Sequence, residues 1–195
     1  MGGDTNRGVT RDKNLNYFRS KNPVKTFDLR AEILQEHSLS QCRKIVQWVG
    51  DDQQRFNELF NLFLHDEYRV TQRAAWPLSK CVELHPGFIK KQFGKLVSNL
   101  KRPNLHDAIK RNTIRLLQYV EIPKKYQGEV MNICFAFVEA PKEAVAIKAF
   151  SLTVLGQLAK SYPEILPEIK LLIEEQLPQQ TAAFKSRAKK LLNGL

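Results

Sequence analysis

Apolar side chains recur along this chain at positions i, i+3, i+4 and i+7 from Phe27 onward. One of these stripes contains Phe56, Leu59, Phe60 and Phe63. An apolar period near 3.6 residues is typical of amphipathic helices, whereas half-buried strands alternate every second residue. Because the chain shows no sustained alternation of the second kind, the pattern predicts an all-α fold.

Short polar breaks separate the apolar stripes and contain residues that commonly begin or end helices, such as Gly50, Pro123 and Pro163. The breaks predict ten helices in five pairs: 28–37 with 39–49, 52–64 with 67–84, 86–100 with 105–120, 124–138 with 141–160, and 164–177 with 180–193. Pro77 lies inside one of these helices, where proline removes a backbone hydrogen bond. A kink is therefore expected after Trp76.

A basic residue followed by small or apolar residues returns every 37 to 39 residues. The four copies begin at Arg73, Arg111, Lys148 and Arg187. A repeat of this length is typical of α-solenoids, in which each helix pair buries its apolar face against its neighbours. Residues 28–195 are therefore predicted to form one solenoid domain.

Residues 1–27 differ from the rest of the chain in composition. They are polar, carry six basic residues against Asp4 and Asp12, and show no helical period. Segments of this kind lack the apolar surface needed to order themselves. We expect a flexible basic N-terminal arm.

The charge of the whole chain is strongly positive, with 31 basic and 20 acidic residues and a formal net charge of +11. Such a bias attracts phosphates, acidic proteins or anionic membrane surfaces, although it also keeps a protein in solution. Composition alone leaves these two interpretations open.

The three cysteines, Cys42, Cys81 and Cys134, each lie on an apolar stripe and none belongs to a CxxC pair. This spacing is not that of a metal site, and an odd number of unpaired cysteines is typical of a reducing compartment. No window of about 18 apolar residues is present to span a bilayer. The expected location is therefore cytoplasmic, with the cysteines in the core.

The residues from Ile147 to Ala159 read Ile-Lys-Ala-Phe-Ser-Leu-Thr-Val-Leu-Gly-Gln-Leu-Ala. They resemble the second helix of a HEAT repeat, where an aliphatic, a basic and small residues precede Leu-Gly-x-Leu-Ala. Residues 70–78 resemble the same helix with the basic residue displaced. The resemblance covers about residues 28–195 as periodicity. It implies a right-handed armadillo-type superhelix of about five helix pairs, with the second helices lining the concave side.

In that arrangement the positive charge is concentrated in one layer. The second helices carry fifteen basic and four acidic residues, and the first helices carry eight and ten. A concave basic surface focuses its field and attracts polyanions. The candidate residues for binding an anion or a nucleic acid are Arg69, Arg73, Lys110, Arg111, Arg115, Lys148, Lys185, Arg187 and Lys189.

A structural role is the alternative for Arg73, Arg111 and Lys148, whereas Lys110, Arg115, Lys185 and Lys189 are less easily explained in that way unless they form an ordinary solvated face. HEAT-like repeats use a basic residue of the second helix to pair with acidic loop residues of the adjacent repeat, and the candidates here are Asp66, Asp107, Glu121 and Glu139. Trp48 and Trp76 lie on second helices as well. They either stack on a base or, as is commoner for large aromatics, fill space between repeats.

The chain contains no glycine-rich phosphate loop, GxSxG or HExxH motif. No catalytic residue, metal or small-molecule cofactor is therefore predicted. HEAT-like DNA glycosylases of alkylation repair are similar in charge and helix count, but the middles of the second helices here hold no Asp or Glu. The favoured function is a non-catalytic binding module whose basic concave face engages a nucleic acid backbone or an acidic protein segment. The alternatives are such a glycosylase and a structural adaptor that uses the convex face.

Overall fold

The computed structural model describes residues 27–193 and shows ten α-helices and three short 3-10 helices in that range. The α-helices are α1 (Leu29–Gln35), α2 (Leu39–Val49), α3 (Gln53–His65), α4 (Tyr68–Leu84), α5 (Phe93–Leu100), α6 (Asp107–Leu117), α7 (Lys124–Glu139), α8 (Val145–Leu158), α9 (Leu166–Gln176) and α10 (Ala182–Asn193). The predicted all-α fold of five helix pairs is confirmed. The predicted N-terminal arm lies outside the described residues except for Phe27.

Several helices begin where the sequence supplies a polar cap. The Ser38 hydroxyl accepts a hydrogen bond from the backbone N–H of Gln41 at 3.0 Å at the start of α2. The Asp52 carboxylate accepts one from the N–H of Gln54 at 2.7 Å at the start of α3. These contacts satisfy N–H groups that the first turn of a helix leaves unpaired. Gly50 ends α2 with φ +53°, a conformation that favours glycine.

The helices form two layers, one of first helices and one of second helices. The helices of the second layer pack more closely on one another. In this layer α2 packs on α4, α4 on α6, α6 on α8 and α8 on α10. Among the first helices of the described chain, α5 and α7 make the most extensive contact, and it is smaller than any of these four. A stack of helix pairs curves toward the layer whose members lie closest together, so α2, α4, α6, α8 and α10 form the inner, concave layer.

The core is one continuous apolar cluster that runs from Leu29 in α1 to Ala188 in α10. Phe56 and Phe60 are fully buried in it, with ring centroids 6.2 Å apart. Pro77 is buried in α4, and the helix continues through it to Leu84. The continuity of the cluster follows from the stacking, because each helix pair covers the apolar face of the pair before it.

The three cysteines are buried as free thiols, as the sequence analysis expected, and Cys81 and Cys134 belong to this cluster. Burial raises the pKa of Cys81 and of Cys134 to about 12. Because the thiolate is the reactive form of cysteine, these thiols are inert at neutral pH.

Consecutive repeats are also joined by side chains that cap helices of the preceding repeat. A long side chain donates a hydrogen bond to a backbone carbonyl 38 or 39 residues earlier, in the last turn of a helix or just beyond it, where carbonyls lack partners. The donors and acceptors are Arg73 with Leu34, Arg102 with Leu64, Gln157 with Gln118, and Gln176 with Val138. The spacing of these bonds matches the repeat period read from the sequence.

Candidate anion-binding face

The inner face is the solvent-exposed side of α2, α4, α6, α8 and α10, and the buried stripe of each helix decides which residues lie on it. The buried pairs 74–75, 112–113 and 151–152 occupy equivalent places on α4, α6 and α8. The residues directly before these pairs are Arg73, Arg111 and Phe150, and Arg187 precedes the buried Ala188 of α10. The four residues in this row are partly or fully exposed.

Lys148 does not belong to this row, and its predicted place on the concave surface is corrected by the structure. Two residues correspond to about 200° around a helix, so Lys148 lies opposite Phe150, on the core side of α8. The side chain is 2% exposed, and its ammonium donates a hydrogen bond to Oε1 of Gln176 at 2.8 Å. Burial lowers the pKa of the Lys148 ammonium from its ordinary value of 10.5. It joins α8 to α9 and is not accessible to an anion.

Replacing Lys148 with methionine is expected to leave the free energy of unfolding at neutral pH unchanged or to raise it, because a buried charge is removed and the length of the side chain is kept. The unfolded chain binds more protons than the folded one between the lowered pKa and 10.5, so the stability of the wild type rises with pH in that window. Urea unfolding at several pH values should show the gap between the proteins closing as pH approaches 10.5. A loss above about 2 kcal/mol in the variant at neutral pH would contradict this prediction.

The cations in the middle of the inner face are paired with carboxylates. The Lys110 ammonium lies 2.8 Å from Glu143, whose side chain is 7% exposed, and the Arg115 guanidinium lies 3.4 Å from Glu83. Lys80 shares Glu83 at 2.7 Å. The structural role therefore applies to Lys110 and Arg115, for which the sequence did not favour it, and little net charge remains around them.

The carboxylates that form these pairs differ from most of the candidates named from the sequence. Asp66 pairs with Arg30 of α1 at 2.9 Å, and this hydrogen bond lowers the pKa of the aspartate. Asp107 lies 3.7 Å from Lys110. In the described part of the chain, Glu121 and Glu139 have no cation within ion-pair distance.

Two further candidates are held by uncharged oxygen atoms and so keep their full charge. Arg73 donates to the backbone carbonyl of Leu34 at 2.7 Å. Arg187 donates to the hydroxyl of Thr153 on α8 at 3.2 Å. These bonds fix where each guanidinium lies without neutralising it.

The remaining candidates, Arg69, Arg111, Lys185 and Lys189, are exposed and make no ion pair with any described residue. They do not form one cluster. Lys185 and Lys189 each lie two residues from Arg187, which places them about 160–200° away from it around α10. Only Arg187 of these three contributes to the surface between α8 and α10.

That surface contains a recess of about 230 Å³, which we name the basic recess. Its lining residues are Thr153, Gly156, Gln157, Lys160, Arg187, Lys190 and Leu191. Three of them are cations and none is a carboxylate. A Cβ atom on Gly156 would lie 2.8 Å from the Leu191 side chain, so the glycine lets α10 approach α8 closely enough to form the recess.

Lys160 and Lys190 were absent from the residues selected on the sequence. The sequence shows them as two of the fifteen second-helix cations, without any mark that separates them from Lys185 or Lys189. The only local signal is Gly156, a small residue inside a helical stripe, which indicates close approach of another element.

The two tryptophans lie in different environments. Trp48, at the first helix pair, stacks on Phe27 with ring centroids 4.7 Å apart, and the Arg55 guanidinium lies 5.3 Å from its ring. Trp76 lines a second recess of about 230 Å³ between α4, α6 and α8, which we name the aromatic recess. Its other lining residues are His37, Arg111, Asn112, Arg115 and Phe150.

Residues 27–193 hold no group of three or more His, Cys, Asp or Glu side chains arranged to bind a metal ion. None of the helices in the same range combines the length and the apolar character needed to cross a bilayer.

Comparisons with known proteins agree with the repeat architecture. A family model described as a HEAT repeat domain matches residues 29–195, which is most of the chain. Neither the search of curated proteins nor the search of solved structures returned a match. The family match covers all five helix pairs.

Proposed function

The chain belongs to the HEAT repeat family, whose members usually mediate protein interactions, and from this premise we propose a non-catalytic module that binds an acidic partner on its inner face. The partner is an acidic protein segment or a nucleic acid backbone. The observation that carries the proposal is the basic recess, where Lys160, Arg187 and Lys190 line one concavity without a carboxylate.

The electrostatic argument rests on the contrast between two parts of the inner face. Around Lys110 and Arg115 the charges are compensated by Glu143 and Glu83. Around the basic recess, no described carboxylate lies within 4.0 Å of Lys160, Arg187 or Lys190, so their fields add. A concave low-dielectric wall concentrates that field. An anion bound there gains attraction without having to break an existing ion pair.

The wild-type protein is expected to bind heparin and polyglutamate with an affinity that falls steeply between about 50 and 200 mM salt, because binding releases counterions. The measurement is the dissociation constant for each polymer across a salt series, with polylysine as the control of opposite charge. Binding that does not change with salt would contradict the proposal and favour a structural adaptor that uses its convex face.

The geometry of the carboxylates bears on the glycosylase alternative. Glu83 in α4 and Glu143 just before α8 are each held by cations within 3.4 Å. A carboxylate so engaged is poorly placed to act on a substrate. Incubation with alkylated duplex DNA distinguishes the two functions, since release of the modified base would require an enzyme.

A further inference from the structure

We propose that the acidic partner is a protein segment that carries an aromatic side chain close to its acidic run, with the aromatic group in the aromatic recess and the carboxylates in the basic recess. This inference rests on the proposed function and specifies the ligand. It follows from the composition of the two recesses, from their separation, and from the uneven charge between them.

The aromatic recess is suited to a planar apolar group. Trp76 and Phe150 both line it and both are partly exposed. The His37 ring lies 5.6 Å from the Trp76 ring and is tilted 60° to it. A cavity of about 230 Å³ is large enough to admit one aromatic side chain, and aromatic pairs prefer such offset or tilted arrangements.

One of the two cations of the aromatic recess is compensated by a carboxylate. Arg115 is already paired with Glu83 at 3.4 Å. Arg111 is exposed and makes no ion pair within the described residues. The recess therefore combines two partly exposed aromatic rings with one guanidinium that has no carboxylate partner. An arginine in this position also stacks on aromatic faces.

The two recesses lie on either side of α8. Phe150 lines the aromatic recess and Thr153 lines the basic recess, and the two residues are less than one helical turn apart. Because the recesses lie in successive grooves of the inner layer, their centres are separated by about one interhelical distance, or roughly 10 Å. An extended peptide covers that distance with about three residues.

The uneven charge favours a protein segment over a nucleic acid. A single strand places one phosphate on every nucleotide, so its charge is evenly spaced along its length. The inner face instead has three unpaired cations at the basic recess and largely compensated charge near Arg115 and Lys110. A peptide can match this pattern by placing an uncharged aromatic residue about three residues from its carboxylates.

The test measures the binding of two synthetic peptides to the 195-residue chain by isothermal titration calorimetry. One contains a phenylalanine about three residues before a run of glutamates, and the other has alanine in place of the phenylalanine. The phenylalanine peptide is expected to bind about tenfold more tightly, which corresponds to about 1.4 kcal/mol, because its aromatic side chain is removed from water. Phe150→Ala should reduce this preference to about twofold, through a weaker affinity for the phenylalanine peptide.

Phe27→Ala is the matched control, because it removes a partly buried phenylalanine that stacks on Trp48, at the opposite end of α2 from His37. It should keep the preference between the peptides. An oligothymidylate is the nucleic acid probe. The inference is overturned if the two peptides bind equally and with salt dependence. It is also overturned if Phe150→Ala affects only the binding of the oligothymidylate. In both cases the proposed function stands. If neither peptide nor any polyanion binds at low salt, the proposed function fails as well.

Discussion

Reversing the charge of Lys160 and Lys190 together is expected to lower the affinity for polyglutamate or heparin by about 30-fold or more at low salt. The two lysines line the basic recess with Arg187. Replacing both with glutamate leaves a single cation there between two carboxylates, so the recess no longer attracts an anion. The slope of log K against log salt should fall by about two units, because two cation–anion contacts are lost.

The chain provides a close control in Lys185→Glu with Lys189→Glu. This pair changes the net charge by the same amount and lies on α10 as Lys190 does, but on the side of that helix away from Arg187. Its affinity should stay within about threefold of the wild type. If the two double variants lose affinity equally, binding depends on net charge alone and the basic recess has no special role.

Truncating Phe184 to alanine should abolish most polyanion binding although it removes no charge. Phe184 is fully buried and anchors α10, the helix that carries Arg187 and Lys190. A Phe→Ala change in a core costs about 3–5 kcal/mol. Because α8 is the described helix against which α10 packs most extensively, we expect the loss to appear as local detachment of α10. Amide hydrogen exchange should then increase in α10 before it does in α4 or α6.

Phe60→Ala in α3 separates this local effect from a general loss of stability. Phe60 is equally buried but lies in the second helix pair, far along the chain from the basic recess. Its variant should lose a similar amount of stability in urea unfolding and bind polyanions normally at a temperature where it is folded. Normal binding by Phe184→Ala, with α10 shown to be detached by exchange, would mean that the anion site lies elsewhere.

Local patterns determined the secondary structure well. The predicted helices 39–49 and 124–138 correspond to Leu39–Val49 and Lys124–Glu139. The largest difference is in residues 86–100, where a 3-10 helix from Pro86 to Gln92 precedes α5. Periodicity could not find this change of helix type, because 3-10 and α-helices place apolar residues at similar spacings over a few residues. The kink expected after Trp76 stays a prediction, and α4 continues through Pro77.

The candidate site was predicted less well, since charge type says nothing about the partner of a side chain. Lys148 and Arg111 occupy similar places in the sequence repeat, yet one is buried against Gln176 and the other is exposed. Lys148 lies two residues before the position on α8 that is equivalent to Arg111, and Phe150 occupies that position. The equivalence becomes visible only when the buried residues of the helices are aligned. The ion pairs of Arg115 and Lys110 could not be predicted from the sequence, because they depend on where Glu83 and Glu143 lie in neighbouring repeats.

The sequence by itself determined the all-α architecture, the five helix pairs and the surplus of cations on the second helices, because these depend on periodicity and composition within short windows. The tertiary structure alone decided which cations remain uncompensated. Ion pairs form between side chains that are more than thirty residues apart, and whether a given ammonium meets a carboxylate, a carbonyl or solvent depends on how one repeat lies on the next. The basic recess exists for the same reason, because it is bounded by two helices that meet only when α10 packs on α8.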